Sequence, residues 1–161
     1  MKIEIPESLK VQHRELHKEL ASAMKAGGEV GSAARKVAEI LHPHFEKEEE
    51  YALPPLGLLR TLATRKYEPE MEEVLVMTAK LKSEYKKMLD EHKAIVLALD
   101  GLAKAAKKEK KERYVELSRK LKMHALDEEE FLYPASLLIG RYVRERVELA
   151  HYDHHAGGGC C

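Results

Sequence analysis

Two segments of this chain, eighty residues apart, nearly repeat each other. Residues 44–54 and residues 124–134 share the pattern H-x-x-x-E-E-E-aromatic-x-x-P. In each copy a histidine and a glutamate are four residues apart, so on a helix both side chains project from one face, one turn apart. A further histidine precedes each copy, His13 by 31 residues and His92 by 32. The duplication predicts two matching sets of two histidines and one glutamate, as a two-metal site between four helices would require.

The composition favours helices. Charged residues make up 35% of the 161 residues and aromatic residues only 6%. A charge-rich chain whose apolar residues are mostly Leu, Ala and Val is typical of helical proteins. The length suits one domain with a substantial core. Positive and negative side chains balance at 28 each, so charge gives no argument for nucleic acid.

Prolines and glycines punctuate the helical pattern and predict its boundaries. We expect an all-α fold: an up-down-up-down four-helix bundle over residues 1–152, ending in a short fifth helix, followed by a flexible tail, residues 153–161. An irregular or short helical connector, Leu56 to Arg65, joins the two helix pairs. The predicted helices run from Pro6 to Gly27, from Val30 to Tyr51 (ended by Pro54), from Pro69 to Lys107, from Glu109 to Leu132 (ended by Pro134) and from Ala135 to Tyr152.

Six polar residues fall on the apolar stripes of these helices, where Leu or Ile would otherwise face the core. Burying such groups without partners costs about 1–3 kcal/mol each, and more for a charge. Two divalent cations would offset that cost by binding the imidazole nitrogens and bridging both carboxylates. The six candidate metal ligands are His13, His44, Glu48, His92, His124 and Glu128.

Four imidazoles and two carboxylates form a nitrogen and oxygen donor set that suits iron, manganese or zinc. Structural zinc usually takes four ligands, often including cysteine, so a six-residue site fits zinc less well. Two irons that share the carboxylates and keep open positions for water, dioxygen or peroxide fit better. Other divalent metals and the division of the histidines between the two ions stay open at this point.

The chain resembles the hemerythrin-like, or HHE cation-binding, domain family from about Leu9 to Pro134. The resemblance rests on four features: His13, His44-x-x-x-Glu48, the Glu91-His92 pair, and His124-x-x-x-Glu128-Glu129 with Leu132-Tyr133-Pro134. The family implies a four-helix bundle holding two non-haem irons, joined by an oxo or hydroxo bridge, that bind dioxygen or a related small molecule. By that resemblance the same six residues are the predicted iron ligands.

The sequence departs from the oxygen-carrying hemerythrins at two places. Those proteins have a second histidine four residues after the one on the third helix, where this chain has Val96, and their fourth helix carries H-x-x-x-x-D, where this chain has Glu129. His17 lies one turn after His13, at the counterpart of Val96. It is a candidate seventh ligand or hydrogen-bond partner of the centre; the alternative is a histidine at the edge of the core.

Residues beside the ligands carry weaker predictions. Metal-bound histidines usually donate their second N–H to a carboxylate, and Glu49 or Glu129 could accept it. Tyr85 is predicted to pack in the core, with a hydroxyl near the metals as the alternative. Cys160 and Cys161 stand at the very end of the chain, where they cannot cross-link a core, so we expect a reducing cytoplasm. The terminal histidines and cysteines suggest metal capture or redox attachment, with an unimportant end as the alternative.

Four functions remain open. The first is a module that binds or senses dioxygen, nitric oxide or peroxide, with an unidentified protein partner if it signals. The second is an enzyme that turns over those molecules at the metals. Iron storage or handling is the third, although ferritin-like bundles use E-x-x-H rather than H-x-x-x-E. The last is a plain structural bundle. We expect no membrane contact, because the longest apolar runs are far shorter than a membrane span.

Overall fold

A computed structural model describes residues 3–64 and 67–156, with the backbone alone at 151 and 153–156. The described residues are helical almost throughout and include no β-strand, so the predicted all-helical class is confirmed. Short 3₁₀ turns, Pro54–Leu58 and Pro69–Glu73, flank the connector. The α-helices are α1 Glu7–Lys25, α2 Gly28–Lys47, α3 Leu59–Thr64, α4 Val74–Lys108, α5 Glu112–Asp127 and α6 Tyr133–Ala156.

Four of these helices form the body of the bundle. α1 packs against α2 and α5, and α4 packs against the same two helices. Their buried faces build two apolar clusters, one around Leu20, Leu41 and Leu99 and the other around Leu53 and Met88. Along α2, α4 and α5 the predicted polar residues fall between the stretches that feed the two clusters. The fold therefore places the polar layer at the junction of two apolar clusters.

Contacts at one end of the bundle tie the helix ends together. The Glu109 carboxylate accepts hydrogen bonds from the backbone amides of Glu29 at 2.7 Å and Val30 at 3.3 Å, the first turn of α2. The Lys111 ammonium donates to the carbonyl of Ala26 at 3.2 Å. Gly28 has a φ of +60° and lies against Glu109, where a Cβ would come within 2.6 Å of the carboxylate. The end of α1, the start of α2 and the connection between α4 and α5 thus meet at one place.

The repeated glutamate run folds as a π-helical turn in both copies. These turns, Glu48–Ala52 and Glu128–Leu132, directly continue α2 and α5. In each turn an amide bonds to the carbonyl five residues back: Leu53 to Glu48, and Tyr133 to Glu128. Single π turns inside α-helices are rare and occur often at functional sites. Both turns begin at a predicted ligand glutamate, so the duplication extends to backbone geometry.

The predicted helix end at Pro134 is wrong. The chain stays helical through the second π turn and continues as α6, Tyr133–Ala156, which packs against α4. A π turn skips one hydrogen bond of the α-helical ladder, so a proline, which has no N–H, can follow it without breaking the helix. In the first copy the chain does leave the helix at Pro54, where a 3₁₀ turn begins.

One residue after the start of the second π turn was wrongly predicted to lie in the core. The helical pattern predicts that Phe131 faces inward, yet its side chain is 63% exposed, whereas Tyr133 is fully buried. After the wider turn Tyr133 faces inward, as its counterpart Leu53 does in the first copy. The turn alone does not decide the exposure of Phe131, because the matching turn of the first copy leaves Tyr51 buried. Tyr51, the counterpart of Phe131 in the first copy, is buried beneath α4, where its hydroxyl donates to the sulfur of Met88 at 3.5 Å.

The C-terminal helix passes the predicted domain boundary at residue 152. Positions 153–156 of the predicted tail lie within α6, and residues 157–161, with both cysteines, lie outside the described residues. Within the described ranges, no helix combines the length and the apolar character needed to cross a membrane.

Candidate metal centre

The fold brings the six predicted ligands together from four helices and both π turns. Each is at most 3% exposed. Their donor atoms form two groups that share both glutamates, and within each group the atoms lie within 4.8 Å of one another. One group adds His13 and His124 to the glutamates, and the other adds His44 and His92. The histidines, whose division between two ions the sequence left open, thus separate into two pairs.

The two i,i+4 pairs of the repeat have nearly the same geometry. His44 Nε2 lies 3.0 Å from Glu48 Oε1, and His124 Nε2 lies 2.9 Å from Glu128 Oε1. The histidines of the other two helices close the groups: His92 Nε2 lies 3.3 Å from Glu128 Oε2, and His13 Nε2 lies 3.1 Å from His124 Nε2. All four Nε2 atoms therefore converge on the two central carboxylates.

Outer carboxylates hold three of the four imidazoles from behind. Nδ1 of His13 lies 3.0 Å from Glu49, and Nδ1 of His92 lies 2.9 Å from Glu129. The sequence predicted that one of these two glutamates accepts a hydrogen bond from a ligand histidine, and both do. Nδ1 of His44 lies 2.7 Å from Glu91, which also pairs with Lys47. With Nδ1–H donated outward, the lone pair of Nε2 faces the centre, as metal binding requires.

The fourth imidazole lacks such a support. Nδ1 of His124 is buried and has no hydrogen-bond partner among the described residues. At the position that matches Glu91 in the repeat, next to the α1 histidine, the chain has Gln12, which is exposed. The outer hydrogen bonds are thus less symmetric than the inner ligands.

The electrostatics of the cluster favour protons or cations at its centre. Burial lowers the pKa of His92, but hydrogen bonds and charges from Glu128 and Glu48 outweigh it and raise that pKa to about 10. The same opposition, with burial again the largest single influence, leaves the pKa of His13 and of His44 above the ordinary value. Burial alone would raise the pKa of Glu128, yet the surrounding imidazoles of His124, His13 and His92 hold it well below its usual range. A cation at this place would therefore replace protons.

Two central oxygens show that the donor set fits a metal. Glu48 Oε2 and Glu128 Oε1 are buried, and in the described part of the chain neither makes a well-aligned hydrogen bond, although His124 Nε2 lies 2.9 Å from Glu128 Oε1. A buried carboxylate oxygen without a partner is costly, and a divalent cation between the groups would satisfy both oxygens. The donors are imidazole nitrogens and carboxylate oxygens without a thiolate, a set that binds borderline and hard divalent ions. The buried His/Glu groups can therefore hold a metal ion.

Tyr133 is a site residue that sequence reasoning did not identify. Its buried hydroxyl donates to Glu48 Oε1 and lies 3.3 Å from His92 Nε2 and 3.4 Å from His44 Nε2. Burial, followed by the charges of Glu48 and Glu128, raises the pKa of this phenol. Tyr85, predicted as the alternative hydroxyl, instead packs its ring edge against Tyr133 with centroids 6.2 Å apart. The sequence feature that could have pointed to Tyr133 is the repeat itself, because Tyr133 stands where the first copy has Leu53.

His17 belongs to neither donor group. Its half-buried ring contacts the edge of Phe45, with centroids 4.8 Å apart, and lies 5.1 Å from the ring of His42. Burial, then the nearby His42 and His13, lowers the pKa of His17. Its predicted role as a seventh ligand stays a prediction.

Comparisons of the chain with protein-family models, with curated proteins and with solved structures found no match.

Proposed function

We propose that this chain is a non-haem di-iron protein that binds or senses dioxygen or a related small molecule such as nitric oxide or peroxide. The observation that carries the proposal is the pair of buried donor groups that share Glu48 and Glu128. Each group offers two imidazoles and two carboxylates, and among the described residues one oxygen of each glutamate makes no well-aligned hydrogen bond. Two ions side by side would use both oxygens of each carboxylate.

Iron is the metal that we favour. Structural zinc takes four ligands in a closed tetrahedron, whereas two ions here would share the central carboxylates and keep coordination positions free. Such free positions allow a metal to bind an external molecule. With two histidines and two shared glutamates around each ion, the protein alone would leave an octahedral iron incomplete.

We extend the proposal to family and topology. The hemerythrin-like assignment is supported by the two H-x-x-x-E segments in matching register and by the histidine that each half adds from another helix. The up-down-up-down order is supported by the contacts of Glu109 and Lys111, which bring the end of α1, the start of α2 and the α4–α5 connection to the same end of the bundle. A cytoplasmic location stays a prediction.

One observation favours the enzyme as a second candidate. The Tyr133 hydroxyl lies directly beside the donors, so a titratable side chain other than the six predicted ligands is within reach of chemistry at the metals. No comparable contact favours iron storage, which stays an alternative prediction.

The test starts from iron-loaded protein that has been chemically reduced and is kept free of air. Dioxygen, nitric oxide or peroxide is then added, each to a separate sample, while the optical spectrum is recorded. A stable adduct that reverses when the gas is removed supports binding or sensing. Sustained consumption of peroxide or nitric oxide over many turnovers, with a reductant present, supports the enzyme. Absence of any spectral change or turnover with all three molecules, in protein that contains iron, would contradict the proposed function.

A further inference from the structure

The two halves of the site match in their histidines and glutamates but differ in one neighbour. Aligning the repeats pairs Leu53 with Tyr133, and both side chains are fully buried. One copy of the repeat therefore has an aliphatic side chain at this position, and the other has a phenol. Because a buried hydroxyl needs a partner, the contacts of Tyr133 show what this difference does.

The phenol oxygen converges on one donor group. It donates to Glu48 Oε1 and lies 3.3–3.4 Å from Nε2 of His92 and of His44. These three residues belong to the same group, and the Tyr133 hydroxyl has no other hydrogen-bond partner among the residues described. The oxygen thus sits beside the very atoms that would hold one of the two metals.

Packing fixes the phenol in this place. The Tyr133 ring stacks on His92, with centroids 5.6 Å apart and an interplanar angle of 19°, and Tyr85 packs against it edge-on. A fully buried ring held by aromatic contacts has little rotamer freedom. The hydroxyl therefore needs no rearrangement of the backbone to reach the centre.

Among the residues that the structure describes, the other half offers no equivalent oxygen. There Phe45 stacks on His13, with centroids 4.2 Å apart and an interplanar angle of 8°, and presents only carbon. Leu53 holds the position that matches the phenol. This half lies beside a surface groove of about 290 Å³ between α1 and α5, whose lining includes His124, Gln12 and Asp127. A metal held by this half would keep more free positions, and His124, which would hold it, lines the groove.

From this asymmetry we propose that Tyr133 is a further metal ligand, binding the ion held by His44 and His92 and making the two metal positions unequal. The inference rests on the proposed di-iron function. It names a ligand that neither the repeated H-x-x-x-E pattern nor the apolar faces of the helices predict. Binding forms a bond between the phenolic oxygen and the metal, breaks the O–H bond and releases the proton to solvent. The position between His13 and His124 is then the one left open to an external molecule.

The test compares the ferric, iron-loaded wild type with Tyr133→Phe. Tyr85→Phe is the matched control, because Tyr85 is the neighbouring tyrosine and its hydroxyl makes no contact with the donor atoms. Iron per chain, the visible spectrum, the resonance Raman spectrum and the Mössbauer spectrum are recorded for each. The wild type and Tyr85→Phe are expected to show a phenolate-to-iron charge-transfer band with tyrosinate vibrations, and two unequal irons. Tyr133→Phe is expected to keep its iron, lose the band and show irons that are more alike.

Wild-type protein that binds two irons per chain but shows no tyrosinate signal overturns the role of Tyr133 and leaves the di-iron proposal standing. Retention of the full signal by Tyr133→Phe overturns it equally. If the wild type binds no iron, the proposed function fails and the ligand assignment fails with it. The wild-type Raman spectrum decides the question even if the variant does not fold.

Discussion

At the scale of single residues, the site is organised by which nitrogen of each imidazole meets which carboxylate. Nδ1 of His13, His44 and His92 bonds outward, and Nε2 of each points to the centre. Outward bonds of this kind fix the orientation of the ring and leave Nε2 as the nitrogen that gives up its proton when a metal arrives. The three outer carboxylates are not equally shielded: the side chain of Glu91 is 21% exposed and that of Glu49 is 49% exposed. Glu91 should therefore contribute most to metal binding.

We predict that Glu91→Gln weakens metal binding by about 10- to 100-fold, the usual effect of removing an outer partner of a ligand histidine. The substitution keeps the size of the side chain but removes the charge that holds the Nδ1 proton of His44. Asp90→Asn is the matched control, because Asp90 is the exposed neighbour that pairs with Lys93 on the surface. Competition with a chelator of known affinity measures both variants. Equal metal affinity in Glu91→Gln and Asp90→Asn would contradict the role of Glu91.

The inner residues could be predicted from the sequence, and the phenol could not. His44, Glu48, His124 and Glu128 were predictable because the i,i+4 spacing and its repetition both survive in the folded helices. Tyr133 was missed because an α-helical count puts Phe131 on the inner face. The π turn widens the helix between Glu128 and Leu132, so Tyr133 faces inward as well, and packing decides whether the earlier aromatic side chain is buried, as Tyr51 is, or exposed, as Phe131 is. Periodicity alone carries no signal for where such a turn begins.

At the scale of elements, the contact between α6 and α4 depends on one glycine. A Cβ added to Gly140 would lie 2.6 Å from the Cβ of Thr78, which is buried in α4. Cβ atoms do not approach so closely, so a larger residue must push the two helices apart. Gly140 thus sets how near α6, and with it the end of the second π turn, lies to the bundle.

We predict that Gly140→Ala destabilises the protein by about 1–3 kcal/mol, a typical cost of overpacking. Gly101→Ala is the control, because Gly101 lies in helix α4 and an added Cβ would meet no atom within 4 Å beyond its chain neighbours and its own helix backbone. That substitution should be neutral or stabilise by roughly 0.5–1 kcal/mol, since alanine is the better helix former. Urea unfolding followed by circular dichroism gives both values. A Gly140→Ala protein as stable as Gly101→Ala would show that α6 does not pack closely on α4.

The elements themselves were largely predictable, but only some of their ends were. Gly27 and Pro54 punctuate the chain where the helices do end. Pro134 occupies the same place in the repeat as Pro54, yet the helix continues through it as α6. The two prolines differ in the residues that follow them. Pro54 is followed by Pro55 and Gly57, which disfavour a continued α-helix, and residues 54–58 form a 3₁₀ turn. Pro134 is followed by Ala135, Ser136 and Leu137, which a helix accepts, so the two copies diverge in local sequence just after the repeat.

At the scale of the whole molecule, the buried cluster links folding to pH. The histidines with raised pKa values stabilise the metal-free fold fully below pH 6.5, and lose that contribution as the pH rises through their folded pKa values, up to about 10 for His92. Glu128, whose pKa is lowered from 4.5, contributes stability above that pH and loses it as the pH falls. The metal-free protein should thus be most stable between about pH 4.5 and 6.5.

We predict that the melting temperature of the metal-free protein falls steadily between pH 6.5 and pH 10, because the cluster loses the protons that neutralise its carboxylates. Metal competes with those protons, so the gain in melting temperature on metal loading should grow over the same range. Melting curves at several pH values, with and without metal, test both parts. A metal-free melting temperature that stays constant or rises from pH 6.5 to 10 would contradict this account of the buried charges.

The central claim is that Glu48 and Glu128 are shared by two metal ions. The most direct measurement is metal content per chain, with the optical spectrum, for iron-loaded wild type and for the double variant Glu48→Ala, Glu128→Ala. Circular dichroism of both proteins serves as the folding control. We predict about two irons per chain with a near-ultraviolet oxo-bridge absorption in the wild type, and loss of both in the variant. One zinc per chain, no metal in either protein, or equal iron in both would contradict the two-metal centre.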